Sequence, residues 1–379
     1  MGHVSLRTGS LFVVAVAFVL MAAQAWAQQT KPASKPSSAP STQASTSLHA
    51  LTAQGDRFML DGKPFDMWGI RVASGAIDDK TADHLIAQLD DYRRYGVNAV
   101  TVFYSGSSAG FADPFSADGL SIDPAVQGRM ERIIRECDQR GMVVIAGIFY
   151  QRTKMGFTDE QAARNAVRTV AASLRPFRNV IINIANEQNS TRYRQNAKVD
   201  INDPQVVIEL CRIVHEADPN RLVGGGGYKH ENNEIIGRSK DVDVLLFDNS
   251  GPDLDSGALY DRFVAAGVVN KPMVNVETFG AWTAKFAPKV VPGVFPDEVK
   301  AAYQREIDAA AARPGLSVFF HNNPWCQGPS VDAPIRFDLA GMGTADDPGI
   351  RWYFQAVKEA RQLSASTQPA QADSRPGDL

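Results

Sequence analysis

Eight short apolar runs, each followed by a longer stretch of helical periodicity, constrain this chain more than any other feature. They occupy residues 65–72, 97–103, 142–149, 179–185, 221–226, 242–248, 272–277 and 315–321. Strands that alternate with helices are joined by crossovers, which makes them parallel and covers them with helices. Eight such units close into a (β/α)8 TIM barrel, with a doubly wound open sheet as the competing α/β arrangement. Connection lengths favour the barrel. Turns leading into strands are tight, as at Tyr95-Gly96 and Arg140-Gly141, whereas the segments leaving them, 104–122, 186–202, 278–295 and 322–346, are long. Long loops at strand C-terminal ends are where such barrels carry their sites.

The helical stretches carry start signals. Asp123-Pro124 and Asp203-Pro204 place a capping carboxylate before a first-turn proline, and Thr158 with Gln161 reads as a capping box. Val126, Met130, Ile133, Ile134 and Cys137 form one apolar stripe, and Val206, Val207, Leu210, Cys211 and Val214 another, so both cysteines are expected in the core. With Cys326 they make three, which is no disulfide framework, and they lack the paired short gaps of a zinc site. Ahead of the first strand, Arg57 to Leu60 and the stretch from Lys63, joined by Asp61-Gly62, predict a small β-hairpin.

The flanks read differently. Residues 1–27 combine Arg7, an apolar run too short for a membrane span, and Ala25-Trp26-Ala27 before Gln28, the pattern of a secretory signal peptide. Residues 28–47, rich in Gln, Thr, Ser, Ala and Pro, predict a flexible tether, 48–363 the folded body and 364–379 a disordered tail. The expected location is secreted or periplasmic, with no membrane span after signal cleavage. Lys plus Arg number 39 against 42 Asp plus Glu, a formal charge of −3. That balance argues against a nucleic-acid partner, which needs a basic face to neutralise phosphate.

The fourth run delivers Asn186 and Glu187 to the expected functional rim, and the seventh delivers Glu277. Two carboxyls across one barrel mouth are what glycoside hydrolysis needs, one to protonate the leaving oxygen and one to attack the anomeric carbon. Together with Leu60-Asp61-Gly62-Lys63-Pro64-Phe65-Asp66-Met67-Trp68-Gly69-Ile70, the turn Tyr95-Gly96-Val97-Asn98 and Trp325 after the eighth run, these residues make the chain resemble clan A glycoside hydrolases. The likeness is to the cellulase-like family five barrels and covers residues 51–363. It implies that Glu187 is the acid/base, that Asn186 binds the sugar 2-hydroxyl, and that Glu277 is the nucleophile of a retaining double displacement on a poly- or oligosaccharide.

The chain departs from that pattern in three places. The family's arginine near the end of strand two and histidine near the end of strand three are replaced by runs ending in Tyr104 and Tyr150, and strand six offers Phe247-Asp248-Asn249 in place of His-x-Tyr. Arg71, ending strand one, either supplies the missing cation near Glu277 or forms a structural ion pair. Sugar rings present apolar C–H faces that pack on flat side chains. Tyr104, Phe111, Phe115, Tyr193, Trp282, Phe286 and Trp325 lie on the long loops, with Trp325 expected as the sugar-binding floor. Tyr150, Tyr228 and Asn249 are candidates to hydrogen-bond substrate or nucleophile.

Other chemistries fit less well. A metal-dependent barrel hydrolase needs paired histidines ending strand one, where Arg71-Val72-Ala73 stands, so no metal and no cofactor are expected. The glycines of residues 224–227 suit either a phosphate or a tight backbone turn, and Lys229 has nothing beside it in sequence to make it a Schiff-base lysine. The non-enzymatic alternative is a glycan-binding barrel that keeps the cleft without turnover.

Overall fold

Each of the eight apolar runs forms a strand, with small shifts at its ends. The computed structural model describes residues 47–107, 110–249, 255–279, 293–322, 325–326 and 335–367. The expected signal peptide, the tether up to residue 46, and Trp282 and Phe286 lie outside these residues. A three-stranded antiparallel sheet comes first, of β1 Leu51–Gln54, β2 Arg57–Leu60 and β3 Lys63–Pro64. The barrel strands β4 Trp68–Arg71 and β5 Ala99–Phe103 follow, then a small hairpin of β6 Gly106–Ser107 and β7 Gly110–Phe111. The rest are β8 Val143–Phe149, β9 Val180–Ala185, β10 Leu222–Gly225, β11 Val244–Asn249, β12 Met273–Thr278 and β13 Leu316–Phe320. β4, β5 and β8–β13 pair in parallel with their sequence neighbours, and β13 pairs with β4, closing an eight-stranded barrel.

Strands buried on both faces read as continuous apolar runs, and every residue of β5, β8, β9, β11 and β12 is buried. Ala99, Ile145, Ile181, Leu246, Val274 and Phe319 belong to one inner cluster, which Leu51 and Phe58 of the leading sheet join. That sheet therefore plugs the N-terminal end of the barrel. Two interior glycines make room for aromatic rings. A Cβ on Gly69 would sit 2.2 Å from the Phe319 ring, and one on Gly147 would sit 2.2 Å from the Phe103 ring. Of the 224–227 glycines, Gly224 and Gly226 pack backbone on backbone, since a Cβ on either would meet the carbonyl oxygen of Val244 or Leu246 at 1.9 Å.

The surrounding helices are α1 Asp79–Ile86, α2 Leu89–Arg94, α3 Pro124–Asp138, α4 Glu160–Leu174, α5 Tyr193–Asn196, α6 Pro204–Ala217, α7 His230–Arg238, α8 Ser256–Ala265, α9 Asp297–Ala311 and α10 Arg351–Thr367. Asp123 and Asp203 cap α3 and α6 as their sequences predict. The capping box at Thr158 does not form. Asp159 caps α4 by accepting from the Ala162 amide, while the amide and hydroxyl of Thr158 both turn to the Ala117 carbonyl. Helix α10 runs past Ser364, where the sequence predicts a tail. Cys137, Cys211 and Cys326 are buried and unpaired. Among the described residues no helix is long and apolar enough to cross a membrane.

Candidate active site

Strand β9 hands the chain to Asn186 and Glu187 at its C-terminal rim. The Asn186 amide donates to the Phe149 carbonyl at 2.9 Å, continuing the β8 ladder. The buried Tyr193 hydroxyl of α5 donates to the Asn186 carbonyl from behind. Glu187 then takes a left-handed backbone, φ +44°. For a residue with a Cβ this costs on the order of 1 kcal/mol. The reversal lets the Gln188 amide donate to the Gly226 carbonyl at 3.0 Å, tying the loop to the end of β10.

Arg71 ends β4 with no exposed surface. Its Nη2 donates to Asn186 Oδ1 at 2.7 Å and lies 3.1 Å from Glu277 Oε2 at the end of β12. Asn186 Nδ2 donates to Gln151 Oε1 at 2.9 Å, and Gln151 Nε2 donates to Glu187 Oε2 at 2.6 Å. The two glutamates are thus the ends of one relay running Glu187, Gln151, Asn186, Arg71, Glu277. Arg71 Nε and Nη1 have no hydrogen-bond acceptor among the described residues, and the guanidinium instead lies 5.2 Å from the centroid of the Phe103 ring that Gly147 admits. His321, directly after β13, places Nε2 3.5 Å from Glu277 Oε1.

The electrostatics of the two glutamates differ. Burial, and then the negative charge of Glu277, push the Glu187 carboxyl up to about 7. Burial also raises Glu277, but Arg71 in contact with it and Arg152 further off pull the other way, favouring the carboxylate. Asp248 stands beside Glu277 in the β11–β12 register, and burial with both glutamates nearby holds its carboxyl well above the ordinary range. One carboxyl poised to give a proton and one held by a cation can together perform acid-assisted displacement.

A second polar cluster supports β12 from outside the barrel. Glu306 of α9, with no exposed surface, accepts from Asn249 Nδ2 at 3.1 Å and from the Ser256 amide at 3.2 Å. Asn249 Oδ1 accepts from Asn275 Nδ2 at 2.8 Å and from the Phe279 amide at 3.0 Å, and Asn275 Oδ1 accepts from the Glu277 amide at 3.1 Å. Burial pushes the Glu306 carboxyl up to about 7.

The sequence-predicted residues separate accordingly. Asn186, Glu187, Arg71 and Glu277 come together. Tyr228, 42% exposed, walls a cleft of about 440 Å³ with Gln151, Arg152, Glu187 and the loop from Asn189 to Arg192. Asn249 faces Asn275 and Glu306, where its amide orders the β11 and β12 ends. Tyr150 is buried edge-on against Phe103, ring centroids 5.7 Å apart. Trp325 is not an open floor: it is fully buried, its Nε1 donates to the Asp338 carbonyl at 2.7 Å, and the Arg336 guanidinium covers its ring at 4.1 Å. Tyr104, Phe115 and Tyr193 are also buried. Gln151, Arg152, His321, Asn275 and Glu306 were not foreseen. Gln151 was the one within reach, since it follows Tyr150 where the resemblance expects a histidine.

No protein-family model and no curated protein matches the chain. Solved structures do match. An endo-1,4-β-mannanase from Rhizomucor miehei superposes with a TM-score of 0.56 at 14% identity, covering 84% of this chain and 99% of the other. The β-glucanase SdGluc5_26A from Saccharophagus degradans, determined with cellotetraose, gives 0.55 at 13% identity over 86% and 98%. A family 5 glycoside hydrolase from Bacteroides vulgatus gives 0.52 at 14% identity, covering 78% of this chain and 66% of that one. Against a second Bacteroides vulgatus structure the chain likewise spans only 64% of its neighbour. The fold is thus the one that family 5 glycoside hydrolases, mannanases and glucanases among them, adopt.

Proposed function

We propose that this chain is a retaining glycoside hydrolase of a poly- or oligosaccharide, exported by its N-terminal signal and carried on the Ser/Thr/Pro-rich tether. Glu187 protonates the leaving oxygen while Glu277 attacks the anomeric carbon. The glycosyl-enzyme ester is then hydrolysed by a water that Glu187, now ionised, deprotonates. Asn186 orients the sugar 2-hydroxyl. The observation that carries this reading is the single Arg71 nitrogen shared by Asn186 and Glu277, which draws the β9 and β12 rims together. Retaining carboxyl pairs stand about 5 Å apart, inverting pairs about 6.5–9.5 Å. The shared fold with mannanases and glucanases supports a carbohydrate substrate.

A mechanism-based fluorosugar panel tests the assignment. The expected label lies on the peptide Val274-Asn275-Val276-Glu277-Thr278 and disappears in Glu277→Ala. A label on Asp248, or a first-formed product of inverted configuration by proton NMR, overturns it.

A further inference from the structure

Arginines in this protein generally meet a carboxylate: Arg140, Arg164, Arg221, Arg262 and Arg313 do so on the barrel's flanks, as Arg71 does at its mouth. Arg152 and Arg192 do not. Both are exposed, both line the Glu187 cleft, and neither makes an ion pair or a side-chain hydrogen bond among the described residues. Arg152 follows Gln151, which holds Glu187, and Arg192 closes the loop that Glu187 opens. Glu187 is the one carboxyl among the residues lining the cleft. The chain as a whole carries a formal −3, so a cationic wall here is not a reflection of overall composition.

A guanidinium offers a planar fork of donors matched to carboxylate and sulfate oxygens, and an unpaired one facing a binding cleft leaves those donors for a ligand. Tyr228 beside them offers a flat face for the C–H side of a sugar ring. We infer that the glycan accepted here is anionic, carrying a carboxylate or a sulfate ester on the sugar seated against Glu187 between Arg152 and Arg192. This rests on the glycosidase reading and names its substrate class. Neutral glucans and mannans would leave both guanidinium forks unused.

Binding is measured calorimetrically in 0.15 M salt with the Glu277→Gln protein, so that turnover does not intrude. The probes are polymannuronate and glucuronoxylan oligosaccharides as the carboxylate arm, carrageenan oligosaccharides as the sulfate arm, cellohexaose and mannohexaose as neutral sugars, and polyglutamate as a non-sugar polyanion. At least one anionic arm is expected to bind about tenfold or more tighter than the neutral sugars, and Arg152→Gln/Arg192→Gln is expected to erase that preference. With the wild-type enzyme the same pair of substitutions raises KM for the anionic glycan about tenfold or more. The melting temperature should not move, because neither side chain is packed or paired.

Equal binding of neutral and anionic sugars, polyglutamate binding as tightly as the glycans, no binding of either anionic arm, or indifference to the double substitution overturns the inference. Cleavage of neutral glycans indifferent to both arginines leaves the glycosidase reading standing while removing this one. An anionic glycan bound through the arginines and never cleaved does the reverse.

Discussion

Nη2 of Arg71 lies 3.1 Å from Oε2 of Glu277, and the pair is shut away from solvent at the ends of β4 and β12, the two barrel strands that flank β13. A buried ion pair gives little net stability over an apolar replacement, but removing one partner strands the other, at about 3–5 kcal/mol. Arg71→Met should therefore lower stability by roughly that amount. It should also move the acid limb of the kcat/KM profile to higher pH, since Arg71 is the cation in contact with Glu277 that favours its carboxylate. A pH–rate profile and a urea melt check the two parts, and an unmoved acid limb would count against the role of Glu277.

Glu187 is raised to about 7, so under the proposed acid/base role kcat/KM should fall as pH rises through that value and the carboxyl loses its proton. Glu187→Ala should remove the basic limb. It should cripple substrates with poor leaving groups far more than activated aryl glycosides, which need little protonation. Equal losses on both kinds of substrate would show that the residue does not supply the proton.

Glu306 gives a stability prediction with a definite sign. Its folded value of about 7 exceeds the ordinary 4.5, so its contribution is fully present below about 4.5 and is lost as pH rises through 7. Glu306→Gln, which keeps the acceptor for Asn249 without the charge, should flatten that decline by on the order of 1–3 kcal/mol between pH 5 and pH 8. Glu187, Asp248 and Glu277 are raised too, and the difference between wild type and variant removes their shared contribution. Chemical denaturation at several pH values measures it. Parallel curves for the two proteins would refute it.

Trp325→Ala should behave as a core truncation, costing about 3–5 kcal/mol in a urea melt. A loss confined to KM, with stability intact, would restore the ring to the substrate surface.

Gly147→Ala would force a methyl into the Phe103 ring, an overpacking cost of about 1–3 kcal/mol. It would also push that ring off Arg71. Shortening the ring residue in Gly147→Ala/Phe103→Leu should recover most of the stability, which thermal melts of the two variants would register.

Much of this was legible in the chain because period and end position are local properties. Eight apolar runs with tight entering turns gave a closed barrel, and Asn186, Glu187 and Glu277 had to fall at strand C-terminal ends. Arg71 was visible as a strand-end cation, though only the fold shows that one nitrogen reaches both Asn186 and Glu277. Glu306 was hidden for a different reason. It sits in an ordinary helical stretch, and its partners Asn249 and Ser256 belong to other elements, so nothing local marks it as buried. Trp325 was expected at the sugar floor because it follows the eighth run, where the resemblance puts a floor residue, whereas the Asp338 carbonyl and the Arg336 guanidinium, distant in the chain, enclose its ring.

The left-handed backbone at Glu187 bears on how this protein would answer to artificial selection. A side chain that dislikes both its backbone angle and its buried charge is a reservoir of improvable stability. Asparagine or glycine at that position tolerates the geometry and carries no carboxyl. A library sorted for heat resistance alone would consequently enrich Glu187→Asn and Glu187→Gly, yielding hardier proteins stripped of the proposed proton donor. Selection for robustness here has to be coupled to turnover in every round.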